Sequence, residues 1–202
     1  LRTAADLARA HPTKRFLLLS LELCSLAFHL GDLDLRSFVA ATLFGDGAAS
    51  AIVRGDETDG ATLAKTGAAS THEWPDSEDV MGWDVMDAGL SVVFSRKIPE
   101  IVERELGPVA HRFLDAAQTK PDRYVFHPGG TKVLQAYEKA LGLHETSLDS
   151  AKTVLARYGN MSSPTVLFAL AESLKRPLRE RESALLAALG PGFASELMLL
   201  HG

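Results

Sequence analysis

The sequence has a single cysteine, no long apolar run and no basic cluster, and each shortage excludes a class of protein. Cys24 alone cannot form an intrachain disulfide, so a reducing cytoplasm is the expected location. Apolar runs such as Phe16–Leu19 and Leu185–Leu189 are far too short to span a bilayer. The net charge is −5, and no run of basic residues is longer than two. The sequence therefore predicts neither a membrane nor a nucleic acid as a partner.

The composition is that of an ordinary globular protein. Hydrophobic residues make up 46% of the 202 residues and charged residues 23%, which is enough for one large domain or two small halves. The chain has no initiating methionine, and Leu1–Ala10 starts inside a helical pattern rather than in turn residues. We interpret it as a fragment or an incomplete gene product.

Strand and helix patterns alternate along the chain, which predicts an α/β fold with sheet layers covered by helices. The predicted strands are Arg15–Leu23, Ala48–Val53, Ala61–Thr71, Met81–Met86, Leu90–Ser95, Arg123–Phe126, Ser183–Leu189 and Phe193–Leu200. The predicted helices are Leu1–Ala10, Leu35–Phe44, Pro99–Gln118, Thr131–Leu141, Ser147–Tyr158 and one that runs from Ser163 to about Lys175. The polar segment Arg54–Gly60 is the best candidate for a boundary, which divides the chain into residues 1–54 and 55–202.

His127 follows a short predicted strand and precedes Pro128 and two glycines. Open α/β sheets bind ligands beyond the carboxyl ends of their strands, and glycines let the backbone approach a ligand closely. A histidine that merely caps a strand end explains this segment equally well.

Asn160 lies 33 residues further on, between Gly159 and the start of another predicted helix. Taken alone, this is a helix end followed by a new N-cap. Together, His127 and Asn160 could offer two N–H donors to one carbonyl oxygen, which is what stabilisation of an enolate or a tetrahedral oxyanion requires.

Several motifs resemble, in the same order, those of type III polyketide synthases, the family of chalcone synthase. They are Glu22–Ser25, Leu43–Ala49, Phe126–Gly130, Tyr158–Ser163 and Leu189–Gly192. The resemblance covers essentially the whole chain. It implies a thiolase-like layered fold (αβαβα), incomplete at the N-terminus. Residues 1–54 would be the trailing part of its N-terminal half and residues 55–202 its C-terminal half.

The resemblance also implies a reaction. In the family, a cysteine thiolate takes an acyl group from a CoA thioester. His127 would stabilise that thiolate and hold the thioester oxygen, and Asn160 would donate to the malonyl-CoA carbonyl. Decarboxylation then leaves an enolate that attacks the bound acyl chain. Acyl-CoA and malonyl-CoA are the implied partners, a homodimer the implied assembly, and no cofactor is expected.

The nucleophilic cysteine itself is expected to be missing. In the family it precedes, by about two helical turns, a helix that Leu1–Ala4 resembles, so the chain would start just after it and be inactive in condensation. Cys24 is not a substitute, because a buried thiol at a strand end lacks the helix N-terminus or cationic neighbour that lowers a cysteine pKa. The family instead uses this position to line the pocket.

Other pocket residues follow from the same resemblance. Phe44 matches the gatekeeping phenylalanine of the family. Ala27 and Val92 fall where plant chalcone synthases have a larger polar residue and a second phenylalanine, which suggests a roomier tunnel that accepts a fatty acyl starter. Met161 and Ser162 are expected to form the wall beside the catalytic asparagine.

Two rival interpretations stay open at this point. An initiating ketoacyl synthase would share His127 and Asn160 but extend once, from an acyl-carrier protein. A non-catalytic remnant could serve as a dimerisation or binding module. No metal-ligand spacing links Cys24 and the six histidines other than His127, so no metal site is predicted. Arg176, Arg179 and Arg181 form a basic loop that either contacts a CoA phosphate or is a solvated turn.

Overall fold

The fold was determined as a computed structural model, which describes residues 1–27, 38, 42–86 and 89–202. Most of the predicted helix Leu35–Phe44 lies outside the described residues, as do Asp87 and Ala88 between the predicted strands Met81–Met86 and Leu90–Ser95. Within the described part of the chain, no helix is long and apolar enough to cross a membrane.

The first part of the chain combines one helix with a two-stranded ladder. It consists of α1 (Arg2–Ala10), β1 (Arg15–Glu22) and β2 (Gly47–Arg54), with a short 3-10 turn over Cys24–Ala27. β1 and β2 are antiparallel. The sequence predicts a buried first strand, but Leu17, Leu19 and Leu21 are each more than 60% exposed, since no described element covers this face. Successive side chains of a strand point to opposite faces, so only the other face is packed.

A four-stranded sheet forms the centre of the remaining chain. Its strands lie in the order β3 (Lys65–Glu73), β8 (Ala194–His201), β7 (Ser183–Gly190) and β6 (Arg123–Phe126). β6 and β7 are parallel, whereas the other two pairs are antiparallel. β3 begins four residues later than predicted and ends two residues later, at Glu73. A separate hairpin pairs β4 (Met81–Met86) with β5 (Gly89–Phe94).

Helices cover both faces of the four-stranded sheet. They are α2 (Ile98–Ala116), α3 (Thr131–Leu141), α4 (Asp149–Tyr158) and α5 (Pro164–Ser173). Alternate residues of β7 belong to different cores: Leu185 packs with α2 and α3, whereas Leu186 packs with α1 and α5. This two-sided burial explains why β7 is a continuous apolar run from Ala184 to Leu189 rather than an alternating pattern.

Candidate active site

His127 is the first residue beyond β6. Its N–H donates to the Ala187 carbonyl oxygen at 2.8 Å, which extends the parallel ladder by one step past Phe126. Pro128 then ends the ladder, because proline has no N–H to donate. The N–H of Gly129 turns back to the His127 carbonyl oxygen at 3.0 Å, and α3 begins at Thr131. A strand end followed by a tight turn therefore fixes the position of His127.

Asn160 lies in the junction between α4 and α5, and the glycine before it makes that junction possible. Gly159 has a φ of 71°, a left-handed conformation that side chains disfavour. A Cβ atom at Gly159 would lie 2.8 Å from the Leu43 carbonyl oxygen. Only glycine therefore allows the two backbones to approach this closely.

The amide side chain of Asn160 has a fixed orientation. Its Oδ1 accepts the N–H of Ser162 at 2.9 Å, and the Thr165 hydroxyl lies 3.5 Å away. Its Nδ2 donates to the Gly129 carbonyl oxygen at 3.3 Å. A backbone N–H can only donate, so the acceptor oxygen must face Ser162 and the amide nitrogen must face the His127 turn. Nδ2 carries two hydrogens, and one remains for a further acceptor.

His127 and Asn160 line the same cavity, which has a volume of about 990 Å³. Of the predicted pocket residues, Phe44, Val92 and Ser162 also line it. The Phe44 ring meets the Phe94 ring edge-on, with centroids 6.2 Å apart. The structure thus brings both donor residues and three predicted wall residues to one space.

Three other predicted pocket residues are placed differently. Met161 is 3% exposed and absent from the cavity lining, because it packs against Gly47, where an added Cβ would lie only 2.7 Å from the Met161 side chain. Cys24 is half-buried in the 3-10 turn and is also absent from the lining. The side chain of Ala27 lies outside the described residues. Met161 therefore belongs to the core rather than to the cavity wall.

The surroundings of Cys24 do not favour a thiolate. Burial raises the pKa of the Cys24 thiol, and the negative charges of Glu22 and Asp46 raise it further. Asp46 is held beside the turn because its carboxylate accepts the N–H and the hydroxyl of Ser25, both at 2.7 Å. At neutral pH the thiol stays protonated, which is the opposite of an activated nucleophile.

The imidazole of His127 is neutral at pH 7 in this chain. Burial lowers the pKa of His127 to about 4, because the imidazolium loses its hydration. The neutral ring carries one N–H and can donate one hydrogen bond. An imidazolium–thiolate pair would require a nearby negative charge to raise this pKa.

The cavity wall also carries a chain of polar side chains that was not predicted from the sequence. The hydroxyls of Ser20 and Ser163 lie 2.7 Å apart, and the Ser163 hydroxyl donates to the Glu22 carboxylate at 2.6 Å. All three residues line the cavity. Ser20 and Glu22 are two residues apart on β1 and share a face. Two polar residues at alternate positions of an apolar strand were the signal for this polar face.

The basic loop also has a partner that sequence analysis did not identify. Arg176 contacts Glu182 at 2.8 Å, and Arg123 contacts the same carboxylate at 2.8 Å. Hydrogen bonds from Arg123, then from the Arg179 N–H and from Arg176, lower the pKa of Glu182 to about 2. Glu182 thus draws the loop against the start of β6.

Comparison with known proteins identifies the family. Residues 66–202 match the model of the chalcone and stilbene synthases, C-terminal domain. A candidate chalcone synthase of Bacillus subtilis (strain 168) is 42% identical over 98% of this chain and 57% of its own length. A 1,3,6,8-tetrahydroxynaphthalene synthase of Streptomyces peucetius subsp. caesius is 39% identical over 97% of this chain and 53% of its own length.

A solved structure gives the same result. The crystal structure of 1,3,6,8-tetrahydroxynaphthalene synthase from Streptomyces coelicolor A3(2), a bacterial type III polyketide synthase, matches with a TM-score of 0.92 and 29% identity. The match covers 99% of this chain and 57% of that one.

The chain belongs to the type III polyketide synthase family and corresponds to its C-terminal part. The predicted thiolase-like layered α/β fold is confirmed by the same comparisons. The chain spans little more than half the length of these relatives. Membership of this family favours a type III synthase over the initiating ketoacyl synthase.

Proposed function

We propose that this chain forms the malonyl-activating part of a type III polyketide synthase, which condenses malonyl-CoA with an acyl-CoA starter by decarboxylation. The observation that carries the proposal is that His127 and Asn160 line one cavity. The short path from the Asn160 amide through Gly129 to His127 supports it, because each group is held relative to the other.

The two side chains would act as donors to the thioester oxygen. Loss of carbon dioxide from a malonyl thioester places negative charge on that oxygen as the enolate forms. Asn160 presents an N–H whose direction is set by Ser162, and His127 presents the N–H of a neutral ring. Donors fixed in advance stabilise developing charge without the cost of reorganisation.

The acyl group would be held by a cysteine from a part of the protein outside this chain. The raised pKa of Cys24 and its place away from the cavity lining support this assignment. On this proposal the 202-residue chain alone does not condense malonyl units.

The starter would be a fatty acyl-CoA. Ligand pockets commonly have volumes of about 300–1,000 Å³, and a cavity of about 990 Å³ is at the upper end of that range. Val92 on its wall is smaller than a phenylalanine, which leaves room for an acyl chain.

The full-length protein would be a cytoplasmic homodimer. The exposed apolar side chains of β1, such as Leu19 and Leu21, support a covered face in the assembled protein. A monodisperse monomer at high concentration, measured by light scattering on the full-length protein, would contradict the dimer.

The test is to incubate the full-length protein with labelled malonyl-CoA and a range of acyl-CoA starters. We expect labelled polyketide from the wild type and a loss of about a hundred- to a thousandfold for Asn160→Ala, since one oxyanion donor is removed. His111→Gln, on the exposed side of α2, is the matched control and should leave activity unchanged. No product with any starter would instead support the non-catalytic remnant.

A further inference from the structure

Ser162 has an unusual backbone conformation next to the amide of Asn160. Its φ is 59°, in the left-handed region that residues with a side chain rarely adopt. Such a conformation is strained and persists only where the surrounding structure holds it. The N–H of Ser162 donates to the Asn160 Oδ1 at 2.9 Å, and this bond sets the direction of the amide. The groups that hold Ser162 therefore also hold the Asn160 side chain.

Local hydrogen bonds give the turn over residues 160–163 its shape. The hydroxyl and the N–H of Thr165 both donate to the Ser162 carbonyl oxygen, at 2.8 and 3.1 Å. These bonds join residues that are close neighbours in sequence, so they do not fix where the turn lies in the cavity. The Asn160 N–H donates to the Leu43 carbonyl oxygen and anchors the beginning of the turn. The end of the turn needs an anchor of its own.

Ser163 supplies that anchor through β1. Its hydroxyl donates to the Glu22 carboxylate at 2.6 Å and lies 2.7 Å from the Ser20 hydroxyl. A hydroxyl has one hydrogen and a carboxylate only accepts, so Ser163 donates to Glu22 and accepts from Ser20. A serine at a helix N-cap usually bonds to the helix backbone. Ser163 is the N-cap residue of α5, a helix that lies wholly among the described residues, yet it makes no side-chain cap bond there.

We propose that Glu22, acting through Ser163, is a positioning residue for the Asn160 amide. The inference rests on the proposed function, in which Asn160 donates to the thioester oxygen as the enolate forms. Leu43 holds the beginning of the turn and Glu22 holds its end, so the free N–H of the amide keeps one direction in the cavity. Glu22 transfers no proton in this role, and another acceptor oxygen at the same place would serve equally well.

The experiment measures the labelled carbon dioxide that variants of the full-length protein release from malonyl-CoA. Ser163→Ala and Glu22→Ala should each lower kcat about tenfold, the effect of one hydrogen bond to a charged group, and leave KM within about twofold. The loss falls on kcat because the Asn160 donor matters most once charge develops on the oxygen. The two substitutions remove the same bond from opposite ends, so the test stands if one variant fails to fold.

Conservative variants distinguish an acceptor from a proton-transfer group. Glu22→Gln should keep most of the activity, since the amide oxygen still accepts the Ser163 hydroxyl. Ser163→Thr keeps the hydroxyl and should do the same. Glu103→Ala is the matched control, because Glu103 also joins two elements by accepting from Lys139, at 3.1 Å, but lies outside the described cavity lining. It should leave the rate unchanged.

A comparison in the Asn160→Ala background separates positioning from a general structural role. If Ser163 acts through the amide, Ser163→Ala should cause no further loss once the amide is gone. The melting temperature of every variant is measured alongside, so that a loss of folded protein is recognised.

Other outcomes would overturn the inference. Equal losses in Glu22→Gln and Glu22→Ala would show that the carboxylate itself is required. A further loss of similar size from Ser163→Ala in the Asn160→Ala background would show a role independent of the amide. Unchanged kinetics in Ser163→Ala would show that the bond to β1 does not position the donor. Each of these results, with an active wild type, overturns this inference alone, whereas a wild type that releases no carbon dioxide overturns the proposed function with it.

Discussion

The backbone of Asn160 is paired with the backbone on both sides of Phe44. The Gly45 N–H donates to the Asn160 carbonyl oxygen at 3.0 Å, and the Asn160 N–H donates to the Leu43 carbonyl oxygen at 2.9 Å. Phe44 and Asn160 are therefore held together and cannot shift independently. A change that disturbs this pairing should alter both the donor geometry and the shape of the cavity.

Gly159→Ala should disturb the pairing directly. Gly159 has a φ of 71°, and a Cβ added there would lie 2.8 Å from the Leu43 carbonyl oxygen. The variant must therefore either keep this backbone strain or relieve it by moving Asn160. We expect a loss of about 1–3 kcal/mol in the free energy of unfolding, measured in urea. The rate of malonyl-CoA decarboxylation by the full-length protein should fall further than a smaller fraction of folded protein would explain.

Gly142→Ala is the matched control for that substitution. Gly142 has a φ of 61°, but a Cβ atom added there would have nothing within 4 Å. The Gly142→Ala variant should lose only about 1 kcal/mol in the free energy of unfolding, from the strain of the left-handed backbone, and should keep normal activity. Equal losses of activity in the two variants would show that the contact with Leu43 does not position Asn160.

His127 should make stability depend on pH. Its pKa is about 4 in the folded chain against an ordinary value of 6.5, so the unfolded state binds more protons between these two values. Stability should therefore fall as pH is lowered from about 6.5 to 4, by roughly 3 kcal/mol at most. Urea unfolding of this chain at several pH values measures the effect. His127→Gln should lack this component, and an identical pH profile in the variant would refute the assignment.

The pair of Arg123 and Glu182 should be important for stability. Their side chains are 10% and 13% exposed, and Arg123 lies at the start of β6, the strand that ends just before His127. Glu182→Ala leaves a largely buried guanidinium unpaired, which should cost about 3 kcal/mol in the free energy of unfolding. Glu172→Ala removes the partner of the exposed Lys175 and should cost less than about 1 kcal/mol. Similar losses in both variants would contradict this ranking.

The sequence pattern predicts the order of elements well because turn residues mark most of their ends. The segment that contains His127 is an example: an apolar run followed by proline and two glycines leaves little choice but a strand and a turn. The pairing of Phe44 with Asn160 could not be predicted, since it joins segments far apart in the chain. The same limit applies to Met161, whose neighbour Gly47 is distant in sequence.

The burial of each strand face is another feature that the sequence does not predict. The run Phe16–Leu19 predicts a strand correctly, but a sequence pattern does not say which faces are covered in a given chain. Tyr137 on α3 illustrates a third limit: it is buried, but its hydroxyl has no hydrogen-bond partner among the described residues, which helical spacing does not show.

The last prediction concerns Cys24 and the activity of the chain by itself. We expect that the 202-residue chain forms no labelled polyketide from malonyl-CoA with any acyl-CoA starter, because its single cysteine, Cys24, is not activated to hold the starter covalently. Burial, Glu22 and Asp46 keep the Cys24 thiol protonated, and a thiol is a poor nucleophile compared with a thiolate. The chain could still decarboxylate malonyl-CoA slowly, since that step needs oxyanion stabilisation and no covalent intermediate.

Two measurements separate these steps. Release of labelled carbon dioxide reports decarboxylation, and labelled polyketide reports condensation. Because Cys24 is the single cysteine of the chain, its alkylation rate can be followed without interference, and we expect that rate to rise steeply only at alkaline pH. In the full-length protein, Cys24→Ala should keep its condensing activity, since the thiol is absent from the cavity lining. Polyketide formed by the 202-residue chain and lost on Cys24→Ala would show that Cys24 is the nucleophile after all.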